Sequence, residues 1–126
     1  MFEDVMFDKK VWAVVGATQD PEKYGNKLYH HLKNNGYTVY AVNPKYDLID
    51  DDKCYSNLSA LPEVPEVVNM VVSTKIGTPI IKEAAKLGIK YAWFQPGSYD
   101  DEILMLAEEL GIDTVQACVL LSSVKK

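Results

Sequence analysis

Short apolar runs alternate along the chain with segments whose apolar residues recur at helical spacing, and turn residues separate the two kinds. Residues 11–16, VWAVVG, form a β-rich run closed by glycine. In KLYHHLKNN, residues 27–35, Leu28, His31 and Leu32 fall at helical spacing, and Gly36 supplies the stop. YTVYAVN, residues 37–43, is β-branched and aromatic and is halted by Pro44. The next twenty residues, YDLIDDDKCYSNLSALPEVP, keep no clean period and are expected to form an irregular connection. EVVNMVVS, residues 66–73, is the third predicted strand. A helix is predicted over 77–88, with Thr78 as N-cap, Pro79 at the first helical position and Gly88 at the end. IKYAWFQ (89–95) is the fourth strand, SYDDEILMLAEEL (98–110) a helix with acids in its first turn, and IDTVQACVLL (112–121) a fifth strand with a tail.

Near-continuous apolar strands, repeatedly followed by amphipathic segments, predict a parallel sheet covered on both faces. Right-handed crossovers then favour a Rossmann-like, doubly wound α/β sheet of about five strands with helices on both faces. Ligands of such sheets lie across the carboxyl ends of the strands. The candidate site is therefore the set of loops after Gly16, Val42, Val72 and Phe94.

Composition narrows the class. At 126 residues, 48% hydrophobic and 25% charged, the chain is expected to be one ordinary globular domain with a single core. A net charge of −5 argues against a nucleic-acid partner, which needs a basic surface, yet leaves room for an anionic ligand in a local pocket. No apolar run approaches the ~20 residues of a membrane span, and MFEDVMFDKK does not read as a secretory leader, so a cytoplasmic location is expected. Cys54 and Cys118 are too few for a disulfide scaffold and lack zinc-ligand spacing.

The loop after the first strand reads G-A-T-Q-D-P-E-K-Y-G-N. Gly16, Ala17 and Thr18 lead toward a helix start, whose unpaired N–H groups and dipole suit a phosphate. G-x-G-x-x-G is absent, since the next glycine is Gly25, and no Walker A loop occurs. At the end of the second strand, where dinucleotide enzymes commonly place an acid for the ribose hydroxyls, stand Asn43, Pro44 and Lys45. These residues suit a phosphorylated ribose; they equally suit a plain turn with a solvated lysine. Ser73 and Thr74 after the third strand let a ligand lie close to the backbone or serve as ordinary turn residues. Gln95, Pro96 and Gly97 make a tight turn after the fourth.

Taken in order, VVGAT, PEKYGNKL, YAVNPKYD, KCYSNLSALPEVPEVVNMVV, AAKLGIKYAWFQPG and AEELGIDTVQACVL resemble the small stand-alone CoA-binding proteins. Their single domain is similar to the CoA-binding domain of succinyl-CoA synthetase and of ADP-forming acyl-CoA synthetases. The resemblance covers about Lys10 to Leu120. It implies coenzyme A, an acyl-CoA or a CoA disulfide as the small-molecule ligand. By this likeness, Gly16, Ala17 and Thr18 match the phosphate-contacting loop, and Lys23 the basic position before Gly25. Val42, Asn43, Pro44 and Lys45 match the segment along the adenosine and its 3′-phosphate. Ser73, Thr74, Ile76 and Pro79 match the third loop, at the adenine or pyrophosphate side, and Gln95, Pro96 and Gly97 the exit of the pantetheine arm. The third loop, STKIG, departs from the arginine or phenylalanine of many relatives.

No catalytic set accompanies these loops. His30 and His31 sit mid-helix without a nucleophile, and the acids of DLIDDD lack the alternation and glycine of a calcium loop. Cys118 near the fifth strand's end is either a small apolar filler or, as the resemblance implies, a thiol facing that of CoA. Binding without turnover is the expected function. The alternatives are a small NAD(P)-dependent or acyl-CoA-using enzyme and the CoA-binding subunit of a split synthetase. Trp12, Trp93 and eight tyrosines offer aromatic area for a homodimer.

Overall fold

Alternation along the strands decides which helix covers which face. In β1 (Val11–Val15) Trp12 and Val14 point to one side and Ala13 and Val15 to the other, and all four are buried. The computed structural model describes residues 2–119. On the first side α1 (Phe2–Phe7) and α2 (Tyr24–Asn34) pack Met6, Phe7, Leu28, Tyr29 and Leu32 against Trp12, Val14, Val67 and Trp93. On the second, α3 (Thr74–Lys86) and α4 (Asp101–Glu109) bring Ile81, Ala84, Ile103 and Ala107 onto Ala13, Val15, Val68, Met70 and Phe94. Helices on both faces were expected.

Among the described residues the sheet has seven strands, two more than the apolar runs predict. The additions are β3 (Leu48–Ile49) and β4 (Asp52–Tyr55), inside the stretch expected to be irregular. With β2 (Thr38–Val42), β5 (Val67–Met70), β6 (Tyr91–Phe94) and β7 (Asp113–Gln116), the order is β3-β4-β2-β1-β5-β6-β7. All neighbours pair parallel except β3 with β4. Without β3, the six parallel strands take the Rossmann order 3-2-1-4-5-6. The order reverses between β1 and β5.

Helix starts also differ from expectation. Ser73, not Thr78, caps α3, its hydroxyl accepting from the Ile76 N–H, and Pro79 lies inside the helix instead of at its first turn. The Thr78 hydroxyl donates to the Thr74 carbonyl one turn back. Asp100 caps α4 by accepting from the Ile103 N–H at 2.9 Å. Leu120 and Leu121, the last residues of the expected fifth strand, lie outside the described residues.

Both tryptophans are fully buried in an aromatic cluster, with Phe7 5.9 Å from Trp12 and 5.0 Å from Trp93 between ring centroids. Each indole N–H has a carbonyl acceptor, Lys9 for Trp12 and Ala117 for Trp93. Neither ring is therefore available to a partner surface, contrary to the reading of aromatic area above. Cys54 is buried as well, and burial pushes its thiol pKa up, which makes it a poor nucleophile.

The β3–β4 hairpin is tied to α2 by side chains. The Tyr29 hydroxyl and the Lys33 ammonium both donate to Asp52, and His30 Nε2 lies 2.8 Å from Asp50 Oδ2. These bonds, Lys33 foremost, hold the Asp52 carboxyl below its usual range. A depressed carboxyl stabilises the fold above its unfolded pKa of about 3.9 and stops doing so as pH falls through the lower folded value. Because the pair is partly in water, Asp52→Asn should cost no more than about 1 kcal/mol at pH 7. That deficit should close as the buffer is taken below pH ~4, when wild type loses the same contact. Urea titrations of both proteins at the two pH values measure it; an undiminished deficit in acid would contradict the ion pair.

Candidate functional site

Glycine makes the site possible at two places. Gly16 leaves β1 with φ +103°, and a Cβ there would lie 2.7 Å from the Val71 carbonyl oxygen. Gly25 opens α2 directly against the same loop: a Cβ would fall 2.1 Å from the Gly16 oxygen. The first turn of α2 is thereby seated on the end of β1. Its N-cap, Lys23, makes no side-chain cap, and the N–H groups of Tyr24 and Gly25 have no acceptor among the described residues.

Side-chain amides lock the neighbouring loops together. Asn43 Nδ2 donates to the Ala17 carbonyl and Asn26 Nδ2 to the Thr18 carbonyl, each at 2.9 Å. Asn43 Oδ1 accepts from the Lys45 N–H at 3.0 Å, which turns the chain at the end of β2. Gln19 reaches the Leu48 carbonyl, and the hydroxyls of Thr18 and Tyr46 share a hydrogen bond of 2.9 Å. Thr18 Oγ1 also accepts the Asp20 N–H.

Around these loops lies a cleft of about 770 Å³ at the carboxyl ends of β1, β2, β4 and β5, where the strand order reverses. It brings together Gly16, Thr18, Lys23, Gly25, Val42, Asn43, Pro44, Lys45, Ser73, Ile76, Pro96 and Gly97 of the residues singled out above. Ala17, Thr74, Pro79, Gln95 and Cys118 do not line it. Ala17 is fully buried beneath the loop. Gln95 is buried with its Oε1 turned to the Val119 N–H, so it holds the chain beyond β7 instead of the cleft. Cys118 is half-buried beyond β7.

Other lining residues were missed. Ser56, Asn57 and Leu58 follow β4, and without that strand their loop had no reason to lie at the sheet's carboxyl end. Tyr24 and Tyr46 sit beside recognised residues, and the hydroxyl of Tyr46 beside a threonine was the signal available. The charged side chains of the lining are Glu22, Lys23, Lys45 and Glu83. Glu83 is engaged, accepting from the Ser59 hydroxyl at 2.8 Å and the Ser59 N–H at 3.2 Å. A mostly apolar cleft lined by two lysines, with open backbone donors at the start of α2, can take an anion beside those groups and an organic body against the rest of its lining. No cluster of metal-ligating side chains occurs among the described residues, and none of their helices is long and apolar enough to cross a membrane.

Residues 10–123 match the family model of the CoA binding domain. Over 120 residues the chain is 32% identical to the ADP-forming acetate–CoA ligase I of Archaeoglobus fulgidus, covering 87% of this chain and 18% of the ligase. It therefore spans less than a fifth of that protein. A hypothetical protein from Pyrococcus horikoshii OT3 superposes with a TM-score of 0.86 at 34% identity, covering 92% of this chain and 82% of its own. The apo form of the dinucleotide-forming acetyl-coenzyme A synthetase 1 of Ca. Korarchaeum cryptofilum gives a TM-score of 0.78 at 27% identity, covering 91% of this chain and 27% of the synthetase.

Proposed function

The chain belongs to the CoA-binding domain family, and on that premise we propose that it holds coenzyme A, as the free thiol, an acyl thioester or a disulfide, in the strand-end cleft and performs no turnover by itself. One observation carries the choice of ligand. The end of β2 presents Asn43, Pro44 and Lys45 to the cleft, where a carboxylate would be needed to grip the two free ribose hydroxyls of NAD. An ammonium there suits a 3′-phosphate. The pyrophosphate then lies against the Gly16–Thr18 loop and the open N–H groups of α2, with Lys23 beside it, and the pantetheine arm leaves past Pro96 and Gly97. Net charge does not oppose this. A lysine within ~4 Å of a phosphate outweighs acids spread beyond a Debye length of about 8 Å.

Calorimetry with CoA, dephospho-CoA and NAD tests the reading: CoA should bind most tightly, and equal or absent affinity for it would end the proposal. A second reading, a CoA-holding subunit of a divided acyl-CoA synthetase, is favoured by the likeness of the chain, 30% identical over 88 residues, to the subunit alpha of the ADP-forming acetate–CoA ligase II of Pyrococcus furiosus. Recovery of a separate ATP-binding chain with the tagged protein would support it, and recovery of the protein alone would count against it.

Tyr46 refines the phosphate end. If its hydroxyl and the Asp20 N–H both donate to Thr18 Oγ1, the threonine's lone pairs are used and its own proton is left to point at the ligand. Tyr46→Phe should then weaken CoA about twelvefold, the value of one hydrogen bond to a charged group at the lower end of its range. In a Thr18→Ala background the same change should do almost nothing. Isothermal titration of the four proteins gives the coupling directly, and additive losses would refute it.

A further inference from the structure

The outer edge of β7 lies away from the cleft, with β5 and β6 between it and β1. Asp113 and Ala117 donate their N–H groups inward, to the carbonyls of Lys90 and Phe94. By the alternation of a strand, the main-chain N–H and C=O of Thr114 and Gln116 face outward, and no main-chain bond to them occurs on that side among the described residues. A groove of about 580 Å³ runs along this edge. Phe2 of α1 forms one wall, Leu104 and Met105 of α4 the other, with Thr114 and Gln116 along the strand itself.

Two features of the groove specify an occupant. Its apolar walls stand in water, with Phe2 37% and Met105 62% exposed. Its charged lining residues among the described residues, Asp101, Glu108 and Asp113, are all acids. A second copy of this chain laid edge to edge would set acids against acids. An extended segment carrying basic side chains would meet the opposite charge, satisfy the outward main-chain groups and cover the apolar walls.

We propose that the open edge of β7 is a docking site for an extended segment of another protein, rich in alternating basic and apolar residues, which adds to the sheet as an eighth strand. This is independent of the ligand in the cleft. The segment lies between α1 and α4, its main chain bonded to Thr114 and Gln116 and its basic groups near Glu108 and Asp113.

The test uses the full chain, labelled with nitrogen-15, and two synthetic octapeptides, one alternating lysine with valine and one alternating glutamate with valine. The lysine peptide should bind, shift the amide signals of Thr114 and Gln116 most and slow their hydrogen exchange; the glutamate peptide should bind at least about tenfold more weakly. Thr114→Pro removes one outward N–H without touching the bond to β6 and should weaken the lysine peptide about fivefold. Should that variant fail to fold, Glu108→Lys, on the exposed face of α4, should cut the preference for the lysine peptide to less than about threefold, since Asp101 and Asp113 remain. Binding of both peptides alike, signal shifts mapped elsewhere, no binding, or protection of the edge through self-association would each overturn the proposal.

Discussion

Gly25→Ala is expected to destabilise this protein by about 3 kcal/mol or more, because the added methyl has nowhere to go. Its Cβ would stand 2.1 Å from the Gly16 carbonyl oxygen and 3.3 Å from the Ala17 Cα. Those atoms are main chain, and they are held: Gly16 N donates to the Val42 carbonyl, and the Ala17 and Thr18 carbonyls accept from Asn43 and Asn26. Relief therefore requires α2 to move off β1, which opens the contacts of Leu28, Tyr29 and Leu32. Overpacking typically costs about 1–3 kcal/mol where side chains can shift, and here backbone must shift. Against a total stability of about 5–15 kcal/mol the loss is large. The urea midpoint should fall steeply with little change in slope, and CoA binding should fall with it, because the donors of the first turn are displaced. Gly36→Ala is the control: its φ is +89° but a Cβ meets nothing within 4 Å, so only the left-handed backbone cost of about 1–2 kcal/mol applies. Equal midpoints for the two variants would show that the close approach at Gly25 is not what seats the helix.

The second large effect is electrostatic. Lys45→Glu should weaken CoA about thirtyfold while changing dephospho-CoA less than about threefold. Lys45 is exposed, yet its main chain is fixed by the Asn43 side chain, which is itself anchored on the first loop. A charge about 4 Å from a phosphate is worth about 1 kcal/mol in water and about 4 near a protein surface. A reversal worth about 2 kcal/mol corresponds to that factor of thirty. Titrations at low and high salt should show the wild-type advantage shrinking as salt screens it. If the variant binds both ligands as wild type does, the 3′-phosphate does not lie at the end of β2.

Much of this arrangement is legible in the residues. The run VWAVVG, the glycine stop at Gly36 and the apolar EVVNMVVS announce three adjacent parallel strands, and the loops that follow them line the cleft. What failed was β4. Its sequence, DKCY, carries a single buried side chain in four, and only residues 43–51 separate it from β2, with no helix between. Parallel neighbours ordinarily need a longer crossover, so nothing local signals the strand. Its loop, Ser56 to Leu58, went unseen for that reason. The start of α3 failed differently: both Ser73 and Thr78 have the chemistry of a cap, and Pro79 suggested a first turn that packing places elsewhere.

Periodicity and turn chemistry, which are properties of neighbouring residues, determined the doubly wound class, the side of the sheet that carries the loops, and the absence of an acid after β2. The tertiary structure alone decided which groups share a space. Thr18 meets Tyr46 across 28 positions, Gly25 presses on Gly16, Gln95 turns away from the cleft, and Phe2 joins α4 beside an open strand. Such contacts depend on strand order and on the approach of backbones distant along the chain, and the spacing of residues in one segment contains neither.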